Sequence, residues 1–174
     1  LEMLPREIEV EINTECSYRI QGYPHREMDG CRPAMTKTTF EKIVSDCAGF
    51  DDICLTFGGF GEPLSHAELP EMIAIAKANG VLGINIETDG RLLRGDIAKT
   101  LLQSQVDTIS VFLDAETAEV YRALKGEDFF EEIVRNIEMF LDQSDPIGGP
   151  KVIPHLVKSR STMPEMEAFY DRWL

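Results

Sequence analysis

One loop near the start of the chain carries side chains that could bind a metal. Residues 14–26 read Thr-Glu-Cys-Ser-Tyr-Arg-Ile-Gln-Gly-Tyr-Pro-His-Arg, which places Cys16 two residues into the loop. Thiolates and imidazoles are the soft and intermediate ligands of transition metals. His25 and Cys31 lie near Cys16, since a loop can span up to about 3.5 Å per residue. A site made of Cys16, His25 and Cys31 is therefore one interpretation of this loop, and a surface turn is the other.

Three more segments that could bind a ligand follow predicted strands. Residues 58–63 read Gly-Gly-Phe-Gly-Glu-Pro, residues 88–90 read Thr-Asp-Gly, and Asp114 ends a fourth apolar run. In parallel α/β folds such residues collect at the carboxyl ends of the strands. We therefore predict one ligand-binding rim, whose candidate residues are Gly59, Gly61, Glu62, Pro63 and Asp114. Two alternatives stay open, because Glu62 could accept backbone N–H groups within its own loop and Asp114 could cap the next segment.

The elements that must position this rim alternate regularly between strand and helix. Alternating apolar residues predict strands at 6–12, 52–57, 81–87, 107–113 and 151–157. Stripes at helical spacing predict helices at about 38–48, 68–79, 96–104 and 129–141 and from residue 163 onward. Thr36 is a suitable cap for the first helix, and Gly80 a suitable stop for the second. Five βα units in series predict a parallel sheet with right-handed crossovers.

One face of the predicted strands is polar, which favours an open barrel over a filled one. The polar positions are Glu9, Glu11, Cys54, Thr56, Asn85, Glu87 and Ser110. A closed (β/α)₈ barrel fills its interior with bulky apolar residues, and five strands are too few to close one. We therefore predict an incomplete TIM-like parallel barrel, in strand order 1-2-3-4-5, with a polar cavity. A doubly wound sheet is the alternative, because periodicity does not fix strand order.

Composition limits the partners. Aspartate and glutamate number 31 against 17 lysines and arginines, which gives a net charge of -14. Such a field repels nucleic acid, whose binding proteins neutralise phosphates with basic residues.

No apolar run approaches the roughly 20 residues of a membrane span, and no signal peptide is evident, so we predict a cytoplasmic protein. The chain begins at Leu1 and stops within a helical pattern. We expect one domain, residues 1–174, belonging to a longer chain whose other domains are its partners.

These motifs together resemble the radical S-adenosylmethionine (radical SAM) superfamily. Residues 56–64, Thr-Phe-Gly-Gly-Phe-Gly-Glu-Pro-Leu, are similar to the family's G-x-GEP stretch, and residues 88–93, Thr-Asp-Gly-Arg-Leu-Leu, to its TNG-x-LL. Residues 110–115 and 121–126 resemble its S-x-DA and Y-x-x-x-x-G segments. The match follows the family order over nearly the whole chain. It is nearest to the branch whose members often carry a C-terminal SPASM extension.

The resemblance implies a cofactor site with notable departures. In the family, residues of the GEP stretch bind the amino group of S-adenosylmethionine, and the S-x-DA region contacts its ribose. The CxxxCxxC loop holds a 4Fe–4S cluster through three thiolates, whereas the matching positions here are Cys16, Ile20 and Tyr23. Asp89 and Phe112 stand where the family usually has Asn and Ser.

The departures predict a degenerate domain. We expect no 4Fe–4S cluster, weak S-adenosylmethionine binding if any, and a role as scaffold or binding module. The alternative is an active radical SAM enzyme with a nonstandard iron–sulfur site, which modifies a peptide or protein.

Overall fold

The computed structural model describes residues 5–14 and 32–173. Its sheet has five parallel strands in the order β1-β2-β3-β4-β5. Their bounds are Glu7–Val10, Cys54–Phe57, Gly83–Thr88, Thr108–Phe112 and Lys151–His155. The predicted serial order of an open, partial TIM-like sheet is confirmed. The loop with Cys16, Ile20, Tyr23, His25 and Cys31 lies outside the described residues.

Six α-helices lie in the described part of the chain. They are α1 (Lys37–Cys47), α2 (Leu69–Ala78), α3 (Gly95–Gln103), α4 (Ala118–Lys125), α5 (Phe130–Ser144) and α6 (Met166–Trp173). Short 3-10 helices cover Pro63–Ser65, Asp145–Ile147 and Met163–Glu165. The sequence pattern did not predict α4, and α5 ends three residues after the predicted end at residue 141. Thr36 caps α1 as predicted, since its side chain accepts a hydrogen bond from the Thr39 N–H. None of the helices described is long and apolar enough to cross a bilayer.

The two faces of the sheet differ in polarity as predicted. One face packs against the helices and supplies the core residues Val10, Leu55, Phe57, Ile84, Ile86, Ile109 and Val111. Because the strand order never reverses, right-handed crossovers place the connecting helices on this face. The opposite, inner face has a register row of Glu9, Thr56, Asn85 and Thr108. The next row contains Glu87 and Ser110.

Pro154 lies within β5, where a proline needs a special position. The Lys151 N–H donates to the Asp107 carbonyl at 3.0 Å, and the His155 carbonyl accepts from the Asp114 N–H at 2.9 Å. The backbone N–H and C=O groups of residues 151 and 155 therefore point toward β4. Successive residues of a strand point these groups to opposite sides, so the backbone nitrogen of Pro154 points away from β4. Its missing N–H costs the β4–β5 ladder no hydrogen bond, which is the usual location of proline in a sheet.

Candidate functional site

The glycine-rich loop after β2 lies directly against the end of β1. A Cβ atom on Gly61 would come within 2.0 Å of Asn13 Oδ1 and 2.2 Å of the Asn13 backbone oxygen. Asn13 Nδ2 donates to the Glu62 carbonyl at 2.9 Å. The Phe60 N–H donates to Glu11 Oε1 at 2.7 Å. Gly61 therefore has a structural reason to be glycine, and the loop is held in place by the segment that follows β1.

The carboxylate of Glu62 joins this loop to the end of β3. Its Oε1 accepts from the Leu64 N–H at 2.9 Å, and its Oε2 accepts from the Asp89 N–H at 2.9 Å. The Thr88 hydroxyl lies 2.9 and 3.0 Å from the two oxygens. Only 8% of Glu62 is exposed. Glu62 therefore does accept backbone N–H groups, as one of the two interpretations of this residue expected. Its role in cofactor binding stays a prediction.

Two carboxyl groups meet at this point. Burial, and secondarily the charge of Asp89, raises the pKa of Glu62 to about 7, against the N–H and hydroxyl donors that lower it. Burial also raises the pKa of Asp89, which the backbone N–H and the charge of Arg91 and the charge of Lys125 oppose.

Asp114, the other predicted rim residue, forms a buried ion pair. Its Oδ2 lies 2.6 Å from Lys125 Nζ, with 3% of the lysine side chain and 8% of the aspartate side chain exposed. Its Oδ1 accepts from the Val157 N–H at 3.0 Å. Lys125 Nζ also donates to the Phe112 carbonyl at 3.1 Å. Asp114 thus connects α4 to the segment after β5.

The inner face carries a second group of polar contacts below the rim. Asn85 Oδ1 accepts from the Thr108 hydroxyl at 2.8 Å and from the Ser110 hydroxyl at 3.1 Å. Burial, with a smaller contribution from the Glu9 charge, raises the pKa of Glu87. Polar residues do face inward as predicted, while the predicted cavity itself stays a prediction.

An aromatic pair ends the inner face at β4 and β5. The rings of Phe112 and His155 stack with their centroids 5.0 Å apart and an interplanar angle of 30°. His155 Nε2 is buried and has no hydrogen-bond partner. The pairing follows from the sheet register, which places Phe112 opposite His155.

Thr88 lies in a predicted rim segment but was given no role of its own, and sequence reasoning assigned no role at the rim to Lys125 or His155. For Lys125 a signal existed, because it lies four residues after Tyr121, and both are buried on one side of α4. Within residues 5–14 and 32–173, no three His, Cys, Asp or Glu side chains are grouped so as to hold a metal ion. Cys16, His25 and Cys31 lie outside that range, so the predicted absence of a metal stays a prediction.

Comparison with known families gives the identity of the fold. The family model described as the radical SAM superfamily matches residues 16–154. The chain belongs to the radical SAM superfamily. Fe-coproporphyrin III synthase of Methanosarcina barkeri is 30% identical over 108 residues, covering 61% of this chain and 26% of that protein. GTP 3',8-cyclase of Chlorobaculum tepidum is 31% identical over 101 residues, covering 58% of this chain and 30% of that protein. The chain thus spans less than a third of the length of these two relatives.

Solved structures share the fold at low sequence identity. Streptococcus suis SuiB bound to precursor peptide SuiA has a TM-score of 0.77 at 15% identity, covering 96% of this chain and 36% of that chain. Native anSMEcpe with bound AdoMet and Cp18Cys peptide has a TM-score of 0.77 at 17% identity, covering 97% and 47%. At such identities the likeness establishes the fold alone.

Proposed function

We propose that this chain is a degenerate radical SAM domain, without a 4Fe–4S cluster, that serves as a scaffold or binding module of a larger protein. The observation that carries the proposal is the ligand set of the family's cluster loop. Of the three thiolate positions only Cys16 keeps its sulfur, while Ile20 and Tyr23 replace the others. An isoleucine has no ligand atom, and a phenol with an unperturbed pKa near 10 is mostly protonated at neutral pH. The residues present therefore do not fit the cluster.

The residues at the rim are better suited to bind S-adenosylmethionine than the Cys16 loop is to bind a 4Fe–4S cluster. The main-chain groups of residues 59–63 would hold its amino group, as the family resemblance implies. Structures with the same fold are described with bound AdoMet, which supports this ligand. We expect weak affinity, because the family's cluster normally anchors the amino and carboxylate groups.

Contacts at the ribose position also favour weak binding. Phe112 replaces a serine hydroxyl with a ring that stacks on His155, so one hydrogen-bonding group is lost. Both carboxylate oxygens of Asp114 are already bonded within the protein. A ribose that needed Asp114 would have to compete with Lys125 and the Val157 N–H.

Anaerobic reconstitution with iron and sulfide tests the proposal. The unmodified protein should hold far less than one cluster per chain. The double variant Ile20→Cys/Tyr23→Cys should gain cluster, because it restores the three thiolates of the family loop. The matched control adds Cys16→Ala to the double variant and should lose that gain. Calorimetry on the same proteins should find tighter S-adenosylmethionine binding only where cluster is retained.

The alternative is an active radical SAM enzyme that modifies a peptide or protein. It is supported by relatives whose names are those of enzymes and by neighbours described with bound peptides. A near-stoichiometric cluster in the unmodified protein would overturn the degenerate proposal. Loss of that cluster in His25→Ala and Cys31→Ala would then identify the missing ligands.

A further inference from the structure

The main-chain pairing of β1 with β2 ends just before the glycine-rich loop. Its last hydrogen bond runs from the Gly58 N–H to the Val10 carbonyl at 3.3 Å. In a regular parallel ladder the next acceptor would be the carbonyl of Ile12, two residues further along. That carbonyl instead accepts from the Met35 N–H at 2.7 Å. The loop must therefore bond to other groups of the segment that follows β1.

Two side chains of that segment supply these groups. Glu11 Oε1 accepts from the Phe60 N–H at 2.7 Å, and Asn13 Nδ2 donates to the Glu62 carbonyl at 2.9 Å. The two hydrogen bonds differ in kind, because the carboxylate is an acceptor and the amide is a donor. Together they hold alternate residues of the loop, 60 and 62, against the segment that follows β1.

The amide of Asn13 belongs to a small buried network. Only 8% of Asn13 is exposed, and its Nδ2 also lies 2.9 Å from Ser65 Oγ. That hydroxyl donates to the Glu62 carbonyl at 2.8 Å, and the Ser65 N–H reaches the same carbonyl at 3.1 Å. A carbonyl oxygen can only accept, so Asn13 must face it with its NH₂ group. The Glu62 carbonyl is therefore held inside the protein.

Glycines let these two side chains approach the main chain of the loop. A Cβ atom on Gly59 would lie 2.8 Å from Glu11 Oε1, and one on Gly61 would lie 2.0 Å from Asn13 Oδ1. Gly59 is exposed and Gly61 is half-buried. In the part of the chain that the structure describes, neither glycine forms a main-chain hydrogen bond. Their main-chain groups are thus available to a ligand.

We propose that Glu11 and Asn13 are positioning residues, which form a two-point clamp on residues 60 and 62 and so present the main chain of Gly59 and Gly61 to a ligand. The inference rests on the proposed function for the identity of that ligand, S-adenosylmethionine. The clamp itself uses only contacts within the protein. Each of the two side chains acts through a main-chain group of the loop rather than on the ligand.

The two hydrogen bonds place opposite demands on conservative substitutions. Glu11→Gln removes a charge but keeps an oxygen for the Phe60 N–H. Asn13→Asp keeps the shape but replaces the NH₂ donor with an oxygen, which would face the oxygen of the Glu62 carbonyl. The clamp therefore predicts that Glu11→Gln is tolerated and that Asn13→Asp is not. A purely electrostatic role predicts that both substitutions matter, and a purely steric role predicts that neither does.

Amide hydrogen exchange on the whole protein tests the clamp without any ligand. In Glu11→Ala the Phe60 N–H should exchange about tenfold faster, because it loses its acceptor. Glu11→Gln should exchange like the unmodified protein. Asn13→Asp should accelerate exchange at residues 59–62 by a similar factor, about tenfold. Glu7→Ala is the matched control, because Glu7 is an exposed residue of the same strand, and it should leave exchange in the loop unchanged.

Calorimetry with S-adenosylmethionine tests whether the clamp presents the loop to a ligand. Glu11→Ala and Asn13→Asp should each weaken binding about tenfold, while Glu11→Gln and Glu7→Ala should leave it unchanged. An unmodified protein that binds no S-adenosylmethionine would contradict the ligand that the proposed function assigns, and exchange alone would then decide the clamp.

The Glu11 variants decide the matter even if Asn13→Asp does not fold, because Glu11 is only half-buried. An Asn13→Asp variant that folds and exchanges like the unmodified protein would overturn the proposal. So would a Glu11→Gln variant whose Phe60 N–H exchanges as fast as in Glu11→Ala.

Discussion

Asp114 shows how one residue can fix several strand ends at once. It is the only non-glycine residue among those described with a positive φ, at 61°, a conformation that aspartate and asparagine tolerate better than most residues. From this position its two oxygens reach α4 and the segment after β5. The backbone conformation and the buried ion pair support each other.

Removing the partner of Asp114 should destabilise the protein strongly. Lys125→Met leaves a buried carboxylate without its cation, for which a loss of about 3–5 kcal/mol in the free energy of unfolding is expected. Chemical denaturation measures this loss. Adding Asp114→Asn should recover part of it, because the amide removes the uncompensated charge and still tolerates the backbone angle.

Lys99→Met is the control for the loss of a lysine. Lys99 lies 3.2 Å from Asp96, and the two side chains are 69% and 98% exposed. Exposed pairs contribute about 0–1 kcal/mol, so this variant should be nearly neutral. A Lys125→Met variant as stable as Lys99→Met would mean that the buried pair is unimportant.

Helix α5 is attached to the rim by one side chain. Asn136 Nδ2 donates to the Gly90 carbonyl at 3.0 Å and to the Arg91 carbonyl at 3.1 Å, and only 6% of the residue is exposed. These carbonyls follow Asp89 directly. Asn136 therefore fixes the turn that follows Asp89, whose N–H donates to Glu62.

Asn136→Ala should weaken this attachment. Two carbonyls would lose their shared donor, and leaving buried polar groups unsatisfied costs about 1–3 kcal/mol. Hydrogen exchange should show faster exchange of the amides of residues 88–91. Gln143→Ala, on the same helix, removes an exposed hydrogen bond to the Met139 carbonyl. It should change neither the free energy of unfolding nor the exchange of residues 88–91. Unchanged exchange in Asn136→Ala would show that the turn stands without α5.

Sequence patterns predicted the strands well because each strand shows its alternation locally. Ile84 and Ile86 alternate with Asn85 and Glu87, and the structure buries the first pair in the core. Helix α4 was missed because its eight residues are too few for a clear periodic stripe. The contacts of Glu62 were not predictable, since Thr88 and Asp89 lie 26 and 27 positions away. Sequence patterns placed Glu62 and Asp114 after the second and fourth strands but did not show which residues they contact.

At the scale of the molecule, acidic residues occur on both sides of the sheet. Glu9 and Glu87 lie on the inner face, and α5 begins with Glu131 and Glu132 in its first turn. The net charge of -14 therefore reflects charges spread over the molecule rather than one patch. Net charge far from zero favours solubility and destabilises the compact state through self-repulsion.

Salt should accordingly stabilise this protein. Raising the ionic strength from about 0.1 M to about 1 M shortens the screening length from about 10 Å to about 3 Å, which weakens repulsion among the excess carboxylates. Exposed ion pairs, such as Lys37 with Glu71, contribute little to the free energy of unfolding. Screening them therefore removes little stabilisation. We expect the melting temperature to rise by about 2–4 °C, equivalent to about 1 kcal/mol. Sodium chloride and tetramethylammonium chloride at equal ionic strength should act alike, because screening depends on charge and not on cation size. A melting temperature that falls with both salts would mean that ion pairs outweigh repulsion.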